Sequence, residues 1–283
     1  MKILKYTVLL ALAILFFSCS SDENAADKTP TDETTGLQKI QEIVNDNHII
    51  ELYSQSGALV QGYNHITLRI KDKKTNAYIN HAKINWLPVM HMAMMEHSCP
   101  KSIVTKIADK QTLYEGDIIF QMAQNDTEYW NLTLTYTVDS ISYTAKDIIK
   151  VPASAKRTVS TFNGTDGVRY LVAYIAPQNP KVATNDISLG LYKMEDMMTF
   201  STVNNFKIKI DPRMPSMGNH GSPNNTDLTQ SQADGFYKGK ISLTMTGYWK
   251  INLQLLNTSD QVLKGEPITT ENPASSLFLE IEF

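Results

Sequence analysis

Sulfur and nitrogen donors are crowded into one short stretch of this 283-residue chain. Residues 90–100 read Met-His-Met-Ala-Met-Met-Glu-His-Ser-Cys-Pro, which places four thioethers, two imidazoles and one thiol within eleven positions. Thioether and imidazole donors suit Cu(I), whereas Mg²⁺, Ca²⁺ and Mn²⁺ prefer oxygen ligands. Methionine specifies a core poorly, so packing alone does not call for so many in a row. The stretch therefore predicts a copper site.

The second half of the chain carries a related frame in residues 211–223. Aligning the two stretches gives each half one Met-Met-His set. If the backbone over 90–94 is extended, three thioethers of the first half lie on one face. His91 would point away on that geometry and is a weaker candidate. The predicted metal ligands are Met90, Met92, Met94, His97, Cys99, Met214, Met217 and His220.

Each candidate also has a plain structural interpretation. The methionines would line the edge of a folded domain, the histidines would be exposed, and Cys99 would pack as a small apolar residue. Met122 and Met245 occupy matching strand positions and are interpreted as packing, as are Trp130 and Trp249. A looser group is interpreted as core or loop: Met194, Met197 and Met198.

Four landmarks recur in the same order in the two halves. Residues 64–68, 83–85, 114–122 and 129–134 match 185–189, 207–209, 237–245 and 248–253. Such self-similarity predicts two copies of one unit. Apolar residues alternate with polar ones in several runs, which predicts half-buried strands. The expected fold is all-β, with two tandem immunoglobulin-like β-sandwich domains. The one helical candidate is 37–46.

The N-terminus predicts export. A basic start and a short apolar run over residues 1–18 are typical of a secretory signal peptide. Ser18-Cys19 resembles a bacterial lipobox, which implies cleavage before Cys19 and its lipidation. Residues 19–38 are polar and predict a flexible tether. The sandwiches are then expected at 39–151 and 158–283, on an outer-membrane lipoprotein facing either the periplasm or the exterior.

The second half resembles a known exported domain. Its Met214-Pro215, Met217 and His220 frame is similar to the YtkA-like family, which is related to FixH-like domains. A later element agrees: Tyr237, Gly239, Gly247, Tyr248 and Trp249. The resemblance implies an immunoglobulin-like sandwich and a setting of copper handling or cytochrome-oxidase maturation. The first half departs from the frame at His91-Met92-Ala93, Met95 and Glu96, yet it retains and adds soft donors.

The remaining composition narrows the function classes. The net charge is −3 and the isoelectric point about 6.1, without a basic stripe for nucleic acid. No catalytic signature or phosphate loop is present in the sequence. The chain is therefore predicted to be a membrane-anchored copper-binding protein that stores copper or exchanges it with a donor or acceptor protein. The alternatives are a metal-free protein-interaction module, whose Met-rich surface contacts a partner, and an assembly factor for a respiratory oxidase.

Overall fold

The computed structural model describes residues 32–233 and 235–283. Within them every regular element is a β-strand, apart from one 3₁₀ turn at Pro215–Met217, and the paired strands run antiparallel. The predicted all-β fold is confirmed. The predicted signal peptide, Cys19 and most of the predicted tether lie outside the described residues. No helix in the described ranges has the length and apolar character needed to cross a membrane.

The first half forms two sheets, with strand orders β1-β2-β3-β7-β6 and β5-β4-β8-β9. Its strands are β1 (Gln38–Val44), β2 (His48–Ser54), β3 (Gly62–Asp72), β4 (Lys83–His91), β5 (Glu96–His97), β6 (Thr105–Lys106), β7 (Tyr114–Phe120), β8 (Tyr129–Val138) and β9 (Ile141–Ile149).

The second half repeats this order as β10-β11-β12-β17-β16 and β15-β14-β18-β19, with β13 on β12 and β20 on β18. One pair of residues, Ile208 and Leu228, also joins β14 to β16. The strands are β10 (Val159–Asn163), β11 (Arg169–Ala176), β12 (Ala183–Met194), β13 (Phe200–Thr202), β14 (Lys207–Met214), β15 (His220–Gly221), β16 (Thr226–Thr229), β17 (Tyr237–Leu243), β18 (Tyr248–Leu256), β19 (Val262–Lys264) and β20 (Phe278–Glu282).

Each half encloses its own hydrophobic core between facing sheets. The first core draws on residues between 43 and 151, and the second on residues between 162 and 281. Trp130 and Trp249 are fully buried at the same place in each core. The indole nitrogen of each donates to a backbone carbonyl, at Met122 and Met245 respectively, over 3.0 Å. Burial of an indole is tolerated where its N–H finds such a partner.

Residues 37–46 do not form the predicted helix. Strand β1 occupies this segment and pairs with β2 from Val44 opposite Ile49 back to Gln38 opposite Ser54. Ile43 is buried in the first core, and Lys39 forms an ion pair with Glu51 on β2. A ladder of backbone hydrogen bonds together with burial of one face overrides a weak local preference for helix.

The predicted tether also ends earlier than residue 38. Both carboxylate oxygens of Glu33 accept hydrogen bonds, from the backbone N–H groups of Gln111 and Thr112 and from the Thr112 hydroxyl. Thr34 is buried, and its carbonyl accepts from the N–H of Leu37. Residues 33–38 thus belong to the first sandwich, because their polar groups are satisfied there.

The two sandwiches share an apolar contact. Ile119 on the outer face of β7 packs in one buried cluster with Val159, Leu171, Ala173 and Ile175 of β10 and β11. The rings of Tyr63 and Phe236 meet edge to face beside it, with centroids 6.2 Å apart. The contact holds the ends of β7, β11 and β12 beside one another.

Candidate functional site: a methionine-lined cavity between the sandwiches

The first Met/His motif folds as a tight hairpin. Strand β4 ends at His91, the Met92 N–H donates to the Met95 carbonyl over 3.0 Å, and β5 returns antiparallel. Met90 lies opposite His97 in this ladder. His91 is held away from this pair. Its Nδ1 lies 2.6 Å from a Glu96 carboxylate oxygen, and its ring stacks on Tyr129.

The hairpin distributes the predicted ligands between three environments. Met90 and Cys99 are buried within the first core, and Met94 is 91% exposed at the turn. Burial raises the pKa of the Cys99 thiol well above its usual value, which disfavours the thiolate that binds metal. Only Met92 and His97 of the predicted set line the cavity described below.

His97 is 3% exposed and only partly satisfied. Its Nδ1 lies 2.8 Å from the Ser98 carbonyl and 3.1 Å from the Gln121 amide nitrogen, while Nε2 has no hydrogen-bond partner within the described residues. A proton on Nδ1 donates to Ser98 and leaves a lone pair on Nε2. A proton on Nε2 would instead leave a buried donor unpaired, at a cost of roughly 1–3 kcal/mol. The first tautomer is the one a metal-binding imidazole uses.

His97 lines a cavity of about 580 Å³ between the two sandwiches. Its wall carries five thioethers, from Met92, Met95, Met122, Met194 and Met197. Gln121, Thr161, Arg169 and Phe200 complete the lining. The first sandwich contributes the 92–95 turn, His97 and the end of β7, and the second contributes β10, β11, the end of β12 and β13.

One backbone hydrogen bond joins a loop of the second sandwich to the hairpin, and further bonds order the loop itself. The Ser98 N–H donates to the Met197 carbonyl over 2.8 Å. The Asp196 carboxylate accepts from the N–H groups of Met198 and Thr199, over 2.7 and 2.8 Å. These bonds, the Met198 N–H foremost, hold the pKa of Asp196 below its usual value. The loop that contributes Met197 to the cavity therefore also carries an ionised carboxylate.

The second Met/His frame does not form a comparable site. Met214 is buried in the second core opposite His220, which is exposed on β15. Met217 lies in the 3₁₀ turn and is 56% exposed. The pairing of β14 with β15 repeats that of β4 with β5. Within the described residues, however, no other sandwich covers the open side of this frame.

Sequence reasoning missed the cavity residues that come from elsewhere. The sequence pattern favours packing for Met122 and a core or loop position for Met194 and Met197, but all three line the cavity with Met92 and His97. Their nearness depends on how the sandwiches pack, which no spacing along the chain records. The usable signal was the count of methionines near the ends of β7 and β12.

Across 32–233 and 235–283 no group of three or more His, Cys, Asp or Glu side chains is arranged to hold a metal ion. Metal binding at the cavity would thus depend on thioethers around one imidazole. That donor set is the one that soft Cu(I) accepts.

Comparison with known proteins yields little. No protein-family model matches the chain, and no curated protein is similar to it in sequence. Among solved structures, a chimeric titin Z1Z2 tandem carrying a fibronectin GRGDS peptide is similar over 80% of this chain and 94% of that chain. The identity is 12% and the TM-score 0.19. The fold assignment accordingly rests on the strand pairing and the cores described above.

Proposed function

We propose that this protein binds Cu(I) at the cavity between the sandwiches and stores or passes on the ion in the bacterial cell envelope. The observation that carries the proposal is the buried His97 Nε2, which lacks a partner within the described residues on a wall shared with five thioethers. Thioethers have no proton to lose, so binding requires no deprotonation of sulfur. Lipid anchoring through Cys19 and kinship with YtkA-like domains belong to this proposal.

Copper titration of the purified full-length chain tests the proposal. Under anaerobic conditions with Cu(I) supplied as its acetonitrile complex, we expect one tightly held ion per chain. Replacing Met95 and Met197 by Leu retains bulk and apolarity, and should weaken binding by about tenfold or more. Competition with a chromophoric Cu(I) chelator measures the affinity.

The matched control is the Met94→Leu, Met217→Leu pair. Both side chains are exposed and lie off the cavity, so this variant should bind like the wild type. A Cys99→Ala variant should also keep its copper, because the thiol is packed in the core. Loss of copper in the control pair, with retention in the cavity pair, would place the ion at the predicted frames instead and refute the cavity as the site.

A further inference from the structure

The histidine on the cavity wall differs from most of the others in its neighbours. The chain has six histidines, and four of them lie within ion-pair distance of a carboxylate: His48 at 3.9 Å from Asp72, His65 at 2.8 Å from Asp117, His81 at 2.8 Å from Asp139 and His91 at 2.6 Å from Glu96. The hydrogen-bond partners of His97 within the described residues are both neutral, namely the Ser98 carbonyl and the Gln121 amide. A carboxylate behind a metal-binding imidazole raises its basicity, and in the described part of the chain His97 has no such support.

The Gln121 amide acts in the opposite direction to a carboxylate. Its nitrogen lies 3.2 Å from the Ser98 carbonyl oxygen and 3.1 Å from His97 Nδ1. The carbonyl oxygen has two lone pairs, so it accepts from the ring N–H and from the amide N–H together. The amide N–H thereby places partial positive charge beside the imidazole, which disfavours further positive charge on the ring and weakens Nε2 as a ligand.

The bond to Ser98 fixes this orientation of the amide. It leaves Gln121 Oε1 buried without a hydrogen-bond partner within the described residues. Turning the amide round would not remove that cost, because the buried NH₂ group would then be unpaired and the amide oxygen would face the Ser98 carbonyl. The amide therefore keeps its N–H, and not its oxygen, toward His97.

The other donors around His97 are uncharged as well. Five thioethers line the cavity, whereas the Cys99 thiol is packed in the first core. A thiolate is a soft ligand that carries a full negative charge, so it attracts Cu(I) more strongly than a neutral thioether does. An acceptor with thiolates is thus able to take the ion from this cavity.

We propose that Gln121 is a positioning residue that keeps His97 a moderate ligand, so that the cavity passes Cu(I) to a thiolate-bearing acceptor. This inference rests on the proposed function, because it concerns the same ion in the same cavity. During transfer two acceptor thiols lose their protons to water as two copper–sulfur bonds form, and the bonds from copper to His97 and the thioethers break. Copper remains Cu(I) throughout.

A carboxylate at position 121 tests the role of the amide. In competition with a chromophoric Cu(I) chelator, full-length Gln121→Glu should bind Cu(I) about tenfold more tightly than wild type, because its carboxylate accepts from the ring N–H. The matched control is Thr161→Glu, which adds the same charge to the lining from the second sandwich and should bind like wild type. Equal tightening in both variants would assign the effect to charge alone and overturn the role of Gln121.

The ¹⁵N spectrum of copper-free protein gives a reading that a merely structural role would not change. Wild type and Gln121→Glu should both show the His97 proton on Nδ1, with the Nδ1 resonance shifted in the variant by its new acceptor. A proton on Nε2 in wild type would contradict the inference. This spectrum decides even where Gln121→Glu does not fold.

Transfer is measured on wild type loaded with Cu(I). One equivalent of a synthetic peptide with two cysteines should take most of the copper, whereas a counterpart with methionines in their place should take little. Gln121→Glu should retain copper against the cysteine peptide with about a tenfold higher partition ratio. Copper kept by wild type against the cysteine peptide, or equal affinities of wild type and folded Gln121→Glu, would overturn the inference and leave the copper proposal standing. Absence of copper from wild type in the chelator titration would remove the proposed function itself.

Discussion

Three histidines of the first sandwich show how the surroundings of an imidazole set its role. His97 lines the cavity, and its Nε2 has no hydrogen-bond partner within the described residues. His48 is buried, with Nδ1 3.0 Å from the Tyr136 hydroxyl, and desolvation lowers its pKa despite Asp72 nearby. His65 is half exposed, and its contacts with Asp117 and then Glu115 raise its pKa. One residue type thus occupies a cavity wall, a core and a partly exposed surface, each with a different set of neighbours.

These opposite shifts predict opposite pH dependences of stability. For His48 the folded pKa lies below the unfolded one, so the unfolded state binds more protons and stability falls as pH drops through about 6.5. For His65 the folded pKa lies above the unfolded one. Its stabilisation is complete below about 6.5 and is lost as pH rises through the folded pKa.

Urea unfolding across about pH 5 to 8 checks both signs. Relative to wild type, His48→Gln should lose stability less steeply on acidification. His65→Gln should lose the part of the stability that wild type gains at low pH. Parallel curves for wild type and His48→Gln would show that His48 titrates alike in the folded and unfolded states.

At the scale of elements, alternation predicted best those strands that have one face in a core and the other largely outside it. Strand β18 is an example, since Trp249, Ile251, Leu253 and Leu255 are all buried. The prediction failed at β1, an edge strand whose few apolar residues fit a helix equally well. It failed also at the cavity, where Met122 and Met197 meet only through tertiary packing. The local pattern of residues shows which face of a strand is buried, but not which element packs against that face.

The end of β19 depends on a glycine for space. At Gly265 the backbone has a φ of +89°, and an added Cβ would lie 2.1 Å from the Leu253 carbonyl oxygen, next to a register shift between β18 and β19. Gly167 has a similar φ of +80° but open surroundings. Alanine at Gly167 should therefore cost about 1–2 kcal/mol for its left-handed conformation.

Alanine at Gly265 should cost clearly more than this, because the clash with Leu253 adds to the same backbone strain. Chemical denaturation of both variants measures the difference. If they lose equal stability, the strand edge relaxes around the added methyl group and the close approach is not essential.

At the scale of the whole molecule, the cavity exists only because the two sandwiches pack together. Ile119 on β7 and Leu171 on β11 belong to one buried cluster between the sandwiches, and residues of both sandwiches line the cavity. Duplication alone would give two equal frames, and the second one is open. Packing of one copy against the next creates the asymmetry: among the described residues, a wall is completed for His97 and not for His220.

This packing predicts that the sandwiches unfold together. Because Ile119 and Leu171 are almost fully buried between them, wild type should melt in a single calorimetric transition. Ile119→Ala with Leu171→Ala removes contacts worth roughly 2–5 kcal/mol each, and should split the transition in two. Leu68→Ala, inside the first core, should lower the melting temperature without splitting it. Cu(I), contacting both walls of the cavity, should bring the split transitions together again by binding only the docked state. A double variant that still melts as one unit would assign the coupling to the linker instead.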